Sequence, residues 1–553
     1  MTLPRRSLLK QLSAGISLPA LIRSDPAGGD VATGGADPSR KIAKGPFAPS
    51  WESLKSYKAP DWFRDAKFGI WAHWTAQCVP EQGDWYARRM YIQGDKAYNF
   101  HVSKYGHPSR FGFMELDNLW KAENWRPEEL MQLYVKAGAK YFVGLANHHD
   151  NFDCYDSRYH AWNSLRVGPK RDIVGTWANL ARQHGLRFGV TNHSAHAWHW
   201  FQTAYGYDGE GPQAGVRYDA YRLKKEDGKG QWWDGLDPQE LYTGRNMVMP
   251  DGLNSIAAVK DWHDKHDRVW TEAAPANNPE FVRTWFLRCQ DLVDRYQPDL
   301  LYFDDTELPL EQAGLDIAAH FYNSNIARKG KLEAVINSKK LKPEHVGALV
   351  LDIERGRANE ILKDAWQTDT CIGDWHYNRA VFDNHKYKTA QTVIHALIDI
   401  VSKNGNLLLN IPLRGDGTID DDERRFLGEI ATWIPVHGEA IFGTRPFAVS
   451  GEGPPATEKT TDFNERNARA YRSEDIRFTS KGETVYATAL GWPTDANLLI
   501  KTLGANSPQH GRPVGRVELL GHGPVPFKQD ANGLALTLPE RKPNPYAYVF
   551  RIN

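Results

Sequence analysis

The sequence predicts an α/β protein with a (β/α)8-like (TIM-type) barrel followed by a C-terminal β-sandwich. First, short apolar runs alternate with helical patterns from about Trp51 to Pro446, as in a parallel sheet. Second, no glycine-rich phosphate-binding motif begins the first helix, so a closed barrel is favoured over the alternative, an open doubly wound sheet. Third, apolar runs joined by turns follow the Pro/Gly/Thr-rich stretch 451–461, which indicates a sandwich.

The first barrel elements carry clear local signals. Apolar runs at 67–73 and 140–146 predict two strands, and the segment 127–138 between them predicts an amphipathic helix. Acidic residues occupy the first turn of this helix and Gly138 follows its last turn, as is typical of helix ends. The later barrel elements are helices over 172–185 and 281–296 and strands at 186–190, 300–303 and 348–352.

Differences in composition define the predicted domains. Residues 47–446 form the barrel domain, in which a polar stretch rich in Gly, Asp and Lys at 205–275 predicts a long active-site insertion. Residues 447–553 form the sandwich domain. Its predicted strands lie at 484–490, 497–501, 517–520 and 546–552.

Residues 1–46 predict a signal peptide and a linker. Arg5 and Arg6 form a twin-arginine-like pair, and the apolar run at 12–22 that follows is too short to span a membrane. An ordinary basic N-terminus is the alternative. Residues 24–46 are rich in Gly, Asp and Ala, as flexible linkers are. We therefore expect a protein exported to the periplasm by the twin-arginine route.

Composition excludes several classes of partner. The 68 basic and 68 acidic side chains cancel without forming a charged stripe, so no nucleic-acid partner is expected. No later segment is apolar enough to span a membrane, so no membrane partner is expected. The four cysteines lie far apart, without zinc-ligand spacing, and do not indicate a disulfide scaffold. The sequence carries no signal for a particular oligomeric state.

The segment 296–305 carries the clearest catalytic signal. Its apolar run at 300–303 predicts a buried strand, which ends in Asp304 and Asp305. Two carboxylates at the end of a buried strand are costly unless solvent, a partner or a ligand receives them. Because the carboxyl ends of barrel strands open onto the active site, Asp304 is a candidate nucleophile or base. The alternative is that one of the aspartates caps the next helix.

Histidines follow three other predicted strands. His73 ends the first strand, His148 and His149 follow the second, and His193 follows the third. In a barrel they converge at one mouth, where neutral imidazoles offer fixed donors and acceptors to a polyhydroxyl ligand. The alternative is a metal site made of the last three histidines and Asp304. The HxH and HExxH spacings typical of metal ligands are missing, so neither a metal nor another cofactor is expected.

A second carboxylate is needed for acid/base chemistry. The apolar run at 348–351 leads into Asp352 and Glu354. A glutamate in a partly apolar cleft keeps its proton near neutral pH, whereas a better-solvated aspartate stays ionised. Glu354 is therefore the candidate general acid/base. The alternative is that it only pairs with Arg355 or Arg357.

These segments fall within sequence blocks that resemble one glycosidase family. The blocks are Lys67-Phe-Gly-Ile-Trp-Ala-His-Trp74 with Gly83-Asp-Trp-Tyr86; Lys140-Tyr-Phe-Val143 with His148-His-Asp-Asn-Phe152; Pro298-Asp-Leu-Leu-Tyr-Phe-Asp304; Asp374-Trp-His-Tyr-Asn378; and Ser402-Lys-Asn-Gly-Asn-Leu-Leu-Leu-Asn-Ile-Pro412. Together, and in this order, they resemble glycoside hydrolase family 29, the α-L-fucosidases, over about residues 50–450.

The resemblance implies an exo-acting, retaining α-L-fucosidase that acts on fucosylated oligosaccharides or glycoconjugates, with a (β/α)8-like barrel and a C-terminal β-sandwich. Asp304 matches the family's nucleophile, which forms a covalent fucosyl-enzyme that water hydrolyses. The substrate-binding residues that the resemblance implies are His73, Trp85, Tyr86, His148, His149, His193, Tyr302 and Trp375.

The sequence departs from the family pattern at three places. Gln367 stands where a glutamate is frequent and cannot donate a proton, so Glu354 remains the expected acid/base, followed by Asp352 and Glu307. His193 takes the place of a sugar-contacting tyrosine, and the insertion changes the surroundings of the leaving group. An α-L-galactosidase, a fucose-binding protein with weak or no catalysis, and a metal-dependent hydrolase are therefore the alternatives.

Overall fold

The computed structural model describes residues 40–457 and 459–553, so most of the predicted signal peptide and linker lies outside the described residues. Eight parallel strands form a closed barrel in sequential order, and the first strand pairs with both the second and the eighth. This confirms the predicted barrel and contradicts the open doubly wound sheet. The strands are β1 Phe68–Ala72, β2 Tyr141–Asn147, β3 Arg187–Asn192, β4 Leu300–Thr306, β5 Val335–Lys339, β6 Val350–Asp352, β7 Trp366–Cys371 and β8 Gly405–Asn410.

Six long helices surround the barrel. Local signals mark where two of them begin: the side chain of Asp172 accepts a hydrogen bond from the N–H of Gly175, and Pro279 occupies the first turn of the third helix. The helices are α1 Pro127–Lys136, α2 Ile173–Gln183, α3 Pro279–Tyr296, α4 Gln312–Lys329, α5 Ala390–Ser402 and α6 Asp421–His437. The first three confirm the predicted helices.

The connections on either side of β6 differ from the rest of the barrel. The described chain between β5 and β6 contains one short 3-10 turn, Pro343–His345, and the described chain from residue 353 to 365 forms no helix. The strand β6 is itself only three residues long. This side of the barrel therefore lacks the helical layer that covers its other strands.

The predicted insertion is more ordered than a loop. Between β3 and α3 the chain forms several short helices, and Tyr207, Met249 and Val259 build a small separate core. The other helices of the barrel domain are Trp51–Leu54, Asp61–Ala66, Tyr86–Arg89, Lys96–Lys104, Phe113–Leu119, Ala197–Trp200, Asp219–Arg222, Pro238–Leu241, Ile256–Lys265 and Arg379–Asp383.

The C-terminal domain is a sandwich of antiparallel sheets, as predicted. A six-stranded sheet has the order β14-β13-β17-β11-β10-β9, and a three-stranded sheet has the order β12-β16-β15. Phe478 and Phe550 from the larger sheet and Ile500 and Leu534 from the smaller sheet share one buried core. The strands are β9 Arg445–Glu452, β10 Ile476–Lys481, β11 Thr484–Ala489, β12 Asn497–Ile500, β13 Val517–Leu519, β14 Gly523–Pro524, β15 Phe527–Asp530, β16 Gly533–Thr537 and β17 Tyr548–Ile552.

None of the helices in residues 40–457 and 459–553 combines the length and the apolar character that a membrane span requires.

Candidate active site

A cavity of about 310 Å³ opens at the carboxyl ends of the barrel strands. Its volume lies at the lower end of the range typical of ligand sites, roughly 300–1,000 Å³, which suits one small ring better than an extended chain. Its lining combines aromatic, imidazole and charged side chains. These are Trp71, His73, Asp84, Trp85, His148, His193, Trp270, Asp304, Asp305, Thr306, Lys339, Lys340, Glu354, Asp369, Trp375 and Phe463.

Asp304, near the end of β4, is held by three side chains. Its Oδ2 lies 3.1 Å from Nδ1 of His193 and 3.4 Å from Nε2 of His149, and its Oδ1 accepts a hydrogen bond from the Lys339 ammonium. Burial alone raises the pKa of Asp304, but Lys339 and then His193 and His149 outweigh it and hold this pKa well below its usual range. Asp304 is therefore an ionised carboxylate. It does not cap the next helix, because the residue that precedes α4 is Glu311.

Lys339, the last residue of β5, joins the two candidate catalytic carboxylates. Its Nζ lies 2.6 Å from Oε2 of Glu354 and also donates to Asp304. Burial, followed by the carboxylates of Asp369 and Asp304, raises the pKa of Glu354 to about 7 despite the ammonium. The raised pKa lets Glu354 hold a proton near neutral pH, as a general acid must, whereas the lowered pKa keeps Asp304 ionised, as a nucleophile must be. Glu354 pairs with Lys339 and with neither arginine that the sequence offered as an alternative.

This difference in pKa predicts the pH dependence of activity. A general acid must carry its proton, so kcat/KM for a glycoside with a poor leaving group should fall as the pH rises through about 7 and Glu354 ionises. The ionised state of Asp304 should persist well below the pH at which an ordinary aspartate gains a proton. A pH profile of kcat/KM from pH 3 to 9 checks both limbs. A profile that stays flat above pH 7 would contradict the role given to Glu354.

Replacement of Lys339 by glutamine should move the whole profile to higher pH. The ammonium lowers the pKa of both carboxyl groups, so its loss raises both values and shifts both limbs in the same direction. Lys339→Arg, which keeps the charge, is the matched control and should leave the limbs closer to their original positions. If both limbs of the pH profile of Lys339→Gln stay at the wild-type pH values, the lysine has only a structural role.

The histidines form a neutral wall of the cavity. Burial is the main reason that the pKa of His73 and of His148 lies well below the usual value, and burial also lowers the pKa of His149 to about 4. The chain leaves β2 at Asn147, so His148 and His149 lie on the same side of the chain with ring centroids 4.3 Å apart. Both are buried: His148 lines the cavity 5.1 Å from His73, measured between ring centroids, whereas His149 lies behind the lining and contacts Asp304.

Several buried polar atoms of this wall have no partner among the described residues. They are both ring nitrogens of His73, Nε2 of His193 and Nε1 of Trp71. A buried donor or acceptor without a partner is costly, and four such atoms around one cavity indicate a ligand rich in hydroxyl groups. Histidines at this site also meet the distance requirement for a metal, because nitrogens of His148, His149 and His193 lie within 4.8 Å of one another. Activity measured with and without a chelator distinguishes a metal ion from a ligand that binds through its hydroxyl groups alone.

Aromatic side chains enclose the cavity on several sides. Trp85 adopts a left-handed backbone conformation (φ +63°) at the start of a short helix and lines the cavity. Trp375 follows β7 and lies 5.3 Å from Trp71, measured between ring centroids. Tyr302 lies beneath Trp71 rather than in the cavity lining, and its hydroxyl donates to Asp369 at 3.0 Å. Tyr302 thus supports the cavity from below.

The predicted insertion reaches the cavity through Trp270, and Glu272 anchors it to the barrel. Glu272 accepts a hydrogen bond from the N–H of Thr306 at 2.8 Å, and Trp270 covers the ring of His196 with centroids 3.6 Å apart. Burial lowers the pKa of His196, but Asp305 and Glu272 outweigh it and raise this pKa to about 9. The positive imidazole stacks under the tryptophan, an arrangement that favours a cation. These contacts fix the insertion to the end of β4.

Besides His149 and Tyr302, four residues considered in the sequence analysis do not line the cavity. The hydroxyl of Tyr86 is hydrogen-bonded to Nδ1 of His101 at 2.9 Å, so Tyr86 belongs to the surrounding core. Glu307 accepts hydrogen bonds from the N–H of Lys342 and from His345. Asp352, the next candidate for the acid after Glu354, accepts a hydrogen bond from the side chain of Gln367 at 2.8 Å. Both residues are buried within the barrel and do not line the cavity. Gln367, one of the residues at which the sequence departs from the family pattern, therefore lies outside the cavity.

The sequence analysis missed several charged residues of the cavity, among them Lys339 and Asp369. Lys339 ends the short apolar run of β5 and could have been found by the strand-end argument that identified Asp304. Asp369 lies two residues after Gln367 on β7, on the same face of the strand. No local pattern marks Trp270 and Glu272, which lie in the irregular insertion.

Comparisons with known proteins agree with this architecture. The family described as Alpha-L-fucosidase matches residues 36–439, and its Alpha-L-fucosidase C-terminal domain matches residues 470–553. The tissue alpha-L-fucosidases of Rattus norvegicus and Homo sapiens are each 26% identical to this chain, over 90% and 92% of both chains respectively. The structure of Thermotoga maritima alpha-fucosidase in complex with fucose is 26% identical, covers 92% of this chain and 100% of its own, and superposes with a TM-score of 0.65. The chain belongs to the α-L-fucosidase family of glycoside hydrolases.

Proposed function

We propose that the protein is an exo-acting, retaining α-L-fucosidase that removes terminal α-L-fucosyl residues from oligosaccharides or glycoconjugates. The observation that carries the mechanism is the bridge through Lys339. Two carboxylate oxygens that share one ammonium nitrogen lie no further apart than two hydrogen bonds, roughly 5–6 Å. Retaining glycosidases hold their carboxyl groups about 5–5.5 Å apart, whereas inverting enzymes need roughly 6.5–9.5 Å. The geometry supports retention.

In the first step, a carboxylate oxygen of Asp304 attacks the anomeric carbon as the bond to the leaving group breaks. Glu354 gives its proton to the departing oxygen, so the leaving group is released as a neutral alcohol. In the second step, the ionised Glu354 takes a proton from water, the water oxygen bonds to the anomeric carbon, and Asp304 leaves as a carboxylate. Two inversions restore the original configuration. Lys339 is a positioning residue that stays charged throughout.

The unpartnered polar atoms of His73, His193 and Trp71 are suited to the hydroxyl groups of a single terminal sugar. The small volume of the cavity supports exo-action, since it admits one ring at the nucleophile. Discrimination between fucose and L-galactose depends on one hydroxyl group at C6, and an apolar contact rejects an added hydroxyl only weakly. Some L-galactosidase activity is therefore expected.

Release of 4-nitrophenol from the α-L-fucoside and the α-L-galactoside, with and without a chelator, tests this proposal. We expect fucoside hydrolysis that resists the chelator and exceeds galactoside hydrolysis. Proton NMR of the first sugar product should show the α-anomer before mutarotation. Loss of activity in chelator would favour the histidine metal site, and a β-anomer as first product would contradict retention. Fucose binding without hydrolysis of either glycoside would favour the binding-only protein.

We also propose that the protein is exported by the twin-arginine route. Arg5, Arg6 and the short apolar run that follows support this proposal. Replacement of both arginines by lysine should retain the protein in the cytoplasm, which cell fractionation measures.

A further inference from the structure

The chain between β9 and β10 contacts the loop that carries Glu354. We call its residues 459–467 the linker segment. The N–H of Phe463 donates to the carbonyl oxygen of Glu354 at 2.7 Å, and the N–H of Glu354 donates to Oδ1 of Asp462 at 3.1 Å. The N–H of Glu465 donates to the carbonyl oxygen of Arg355 at 3.1 Å. The candidate acid is thus hydrogen-bonded through its own backbone to a connection between two strands of the sandwich domain.

Further hydrogen bonds fix the conformation of the linker segment. Oδ1 of Asn464 accepts from the N–H of Arg357 at 3.0 Å, and its Nδ2 donates to the carbonyl oxygen of the same arginine at 2.9 Å. Thr461 forms an isolated antiparallel bridge with Arg357. These contacts lie on the side of the barrel where β6 is short and the helical layer is missing. The segment therefore has one defined position beside the acid.

Phe463 is unusual for an exposed aromatic residue. It adopts a left-handed backbone conformation (φ +57°), which is rare for a bulky side chain, and its side chain remains 41% exposed. Its ring lines the same cavity as Asp304 and Glu354. Arg466 lies over the ring, 5.5 Å from its centroid. A strained conformation that presents an apolar ring at the edge of an active site points to a role in binding.

The location of the acid identifies what the ring binds. A general acid donates its proton to the glycosidic oxygen, so the leaving group must lie on the side of Glu354. Phe463 is attached to that residue by a hydrogen bond and faces the same cavity. We propose that Phe463 is the platform for the first sugar of the leaving group, whose apolar C–H face packs on the ring. The preferred substrates are then fucosides of a pyranose sugar rather than of a small alcohol, an inference that rests on the proposed function.

Two substrates with the same fucosyl group test this platform. α-L-Fucosyl fluoride has a leaving group too small to reach the ring, whereas a fucosyl-galactose disaccharide places a pyranose beside the acid. In Phe463→Ala we expect the ratio of kcat/KM for the disaccharide to kcat/KM for the fluoride to fall about tenfold, mainly through KM. Phe463→Tyr should restore the ratio because it keeps an aromatic face. Phe527→Ala, which removes an exposed phenylalanine from the sandwich, is the matched control.

Phe463→Gly separates loss of the ring from a change in the backbone. Glycine adopts a positive φ without strain, so this variant keeps the linker segment in place and should show the same fall in the ratio as Phe463→Ala. An unchanged ratio in both variants, or a fall in Phe463→Ala that glycine restores, would overturn the platform. Wild-type protein that hydrolyses neither substrate would overturn the proposed function itself, and the platform with it.

Discussion

Replacement of Asp304 by glycine should lower fucoside hydrolysis by on the order of 10³- to 10⁵-fold. The variant removes the group that attacks the anomeric carbon, and neither Glu354 nor Asp369 lies on the strand end that Asp304 occupies. The free energy of unfolding should change less than the activation free energy does, because the buried ammonium of Lys339 remains paired with Glu354 after Asp304 is removed. Single-turnover kinetics and thermal unfolding measure the two effects separately.

Azide provides a stereochemical check on the same variant. In Asp304→Gly, azide can enter the space left by the carboxylate and displace the leaving group directly, so the product should be β-L-fucosyl azide. The matched control is Asp299→Asn, which changes an aspartate beside the opposite end of the same strand, where it pairs with Arg187. That variant should keep normal turnover per folded molecule. Near-normal turnover of Asp304→Gly without azide would remove Asp304 from the mechanism.

Glu354→Ala should make turnover depend strongly on the leaving group. A disaccharide or a fucoside with a poor leaving group needs the proton and should be hydrolysed about 10²- to 10⁴-fold more slowly. A dinitrophenyl fucoside needs no proton, so its bond to the leaving group should break at a rate close to that of the wild type, and the covalent intermediate should accumulate. A burst of dinitrophenol in stopped-flow measurements checks this expectation.

Azide again tests the assignment, with the opposite stereochemical outcome. It should attack the accumulated intermediate of Glu354→Ala and give α-L-fucosyl azide, because Asp304 is still present. Asp369→Asn is the matched control: this carboxyl group lines the same cavity and its pKa is also raised, but Tyr302 holds it at 3.0 Å. If Asp369→Asn gives the leaving-group dependence and Glu354→Ala does not, the acid is Asp369.

Most of the barrel could be predicted because its strands are buried on both faces. The strands β2 and β4 appear in the sequence as nearly continuous apolar runs, and α1 and α2 carry start signals and an apolar stripe. The sequence analysis did not identify β5, β7 or β8 as strands. The run of β5 is short and ends in Asn337, Ser338 and Lys339. Length and periodicity are weak signals for such a strand, and only closure of the barrel fixes its position.

The site could be predicted where residues follow directly from a strand end, as for Asp304 and His148. It could not be predicted where a contact joins distant segments. Lys339 acquires its role only when β5 lies between β4 and β6, and Trp270 reaches the cavity only because Glu272 is bonded to Thr306. Tyr86 shows the opposite error, because the motif that contains it is close to the cavity while its side chain points to His101.

The short strand β6 and the missing helices beside it have a consequence for how the molecule unfolds. Three residues of strand provide little local stability, so the loop that carries Glu354 depends on hydrogen bonds to a segment outside the barrel. Cooperativity between the two domains follows: loosening of the sandwich should inactivate the proton donor while the nucleophile on the seven-residue strand β4 stays in place. Near its melting temperature, the protein should therefore cleave activated fucosides after it has lost the ability to cleave natural ones.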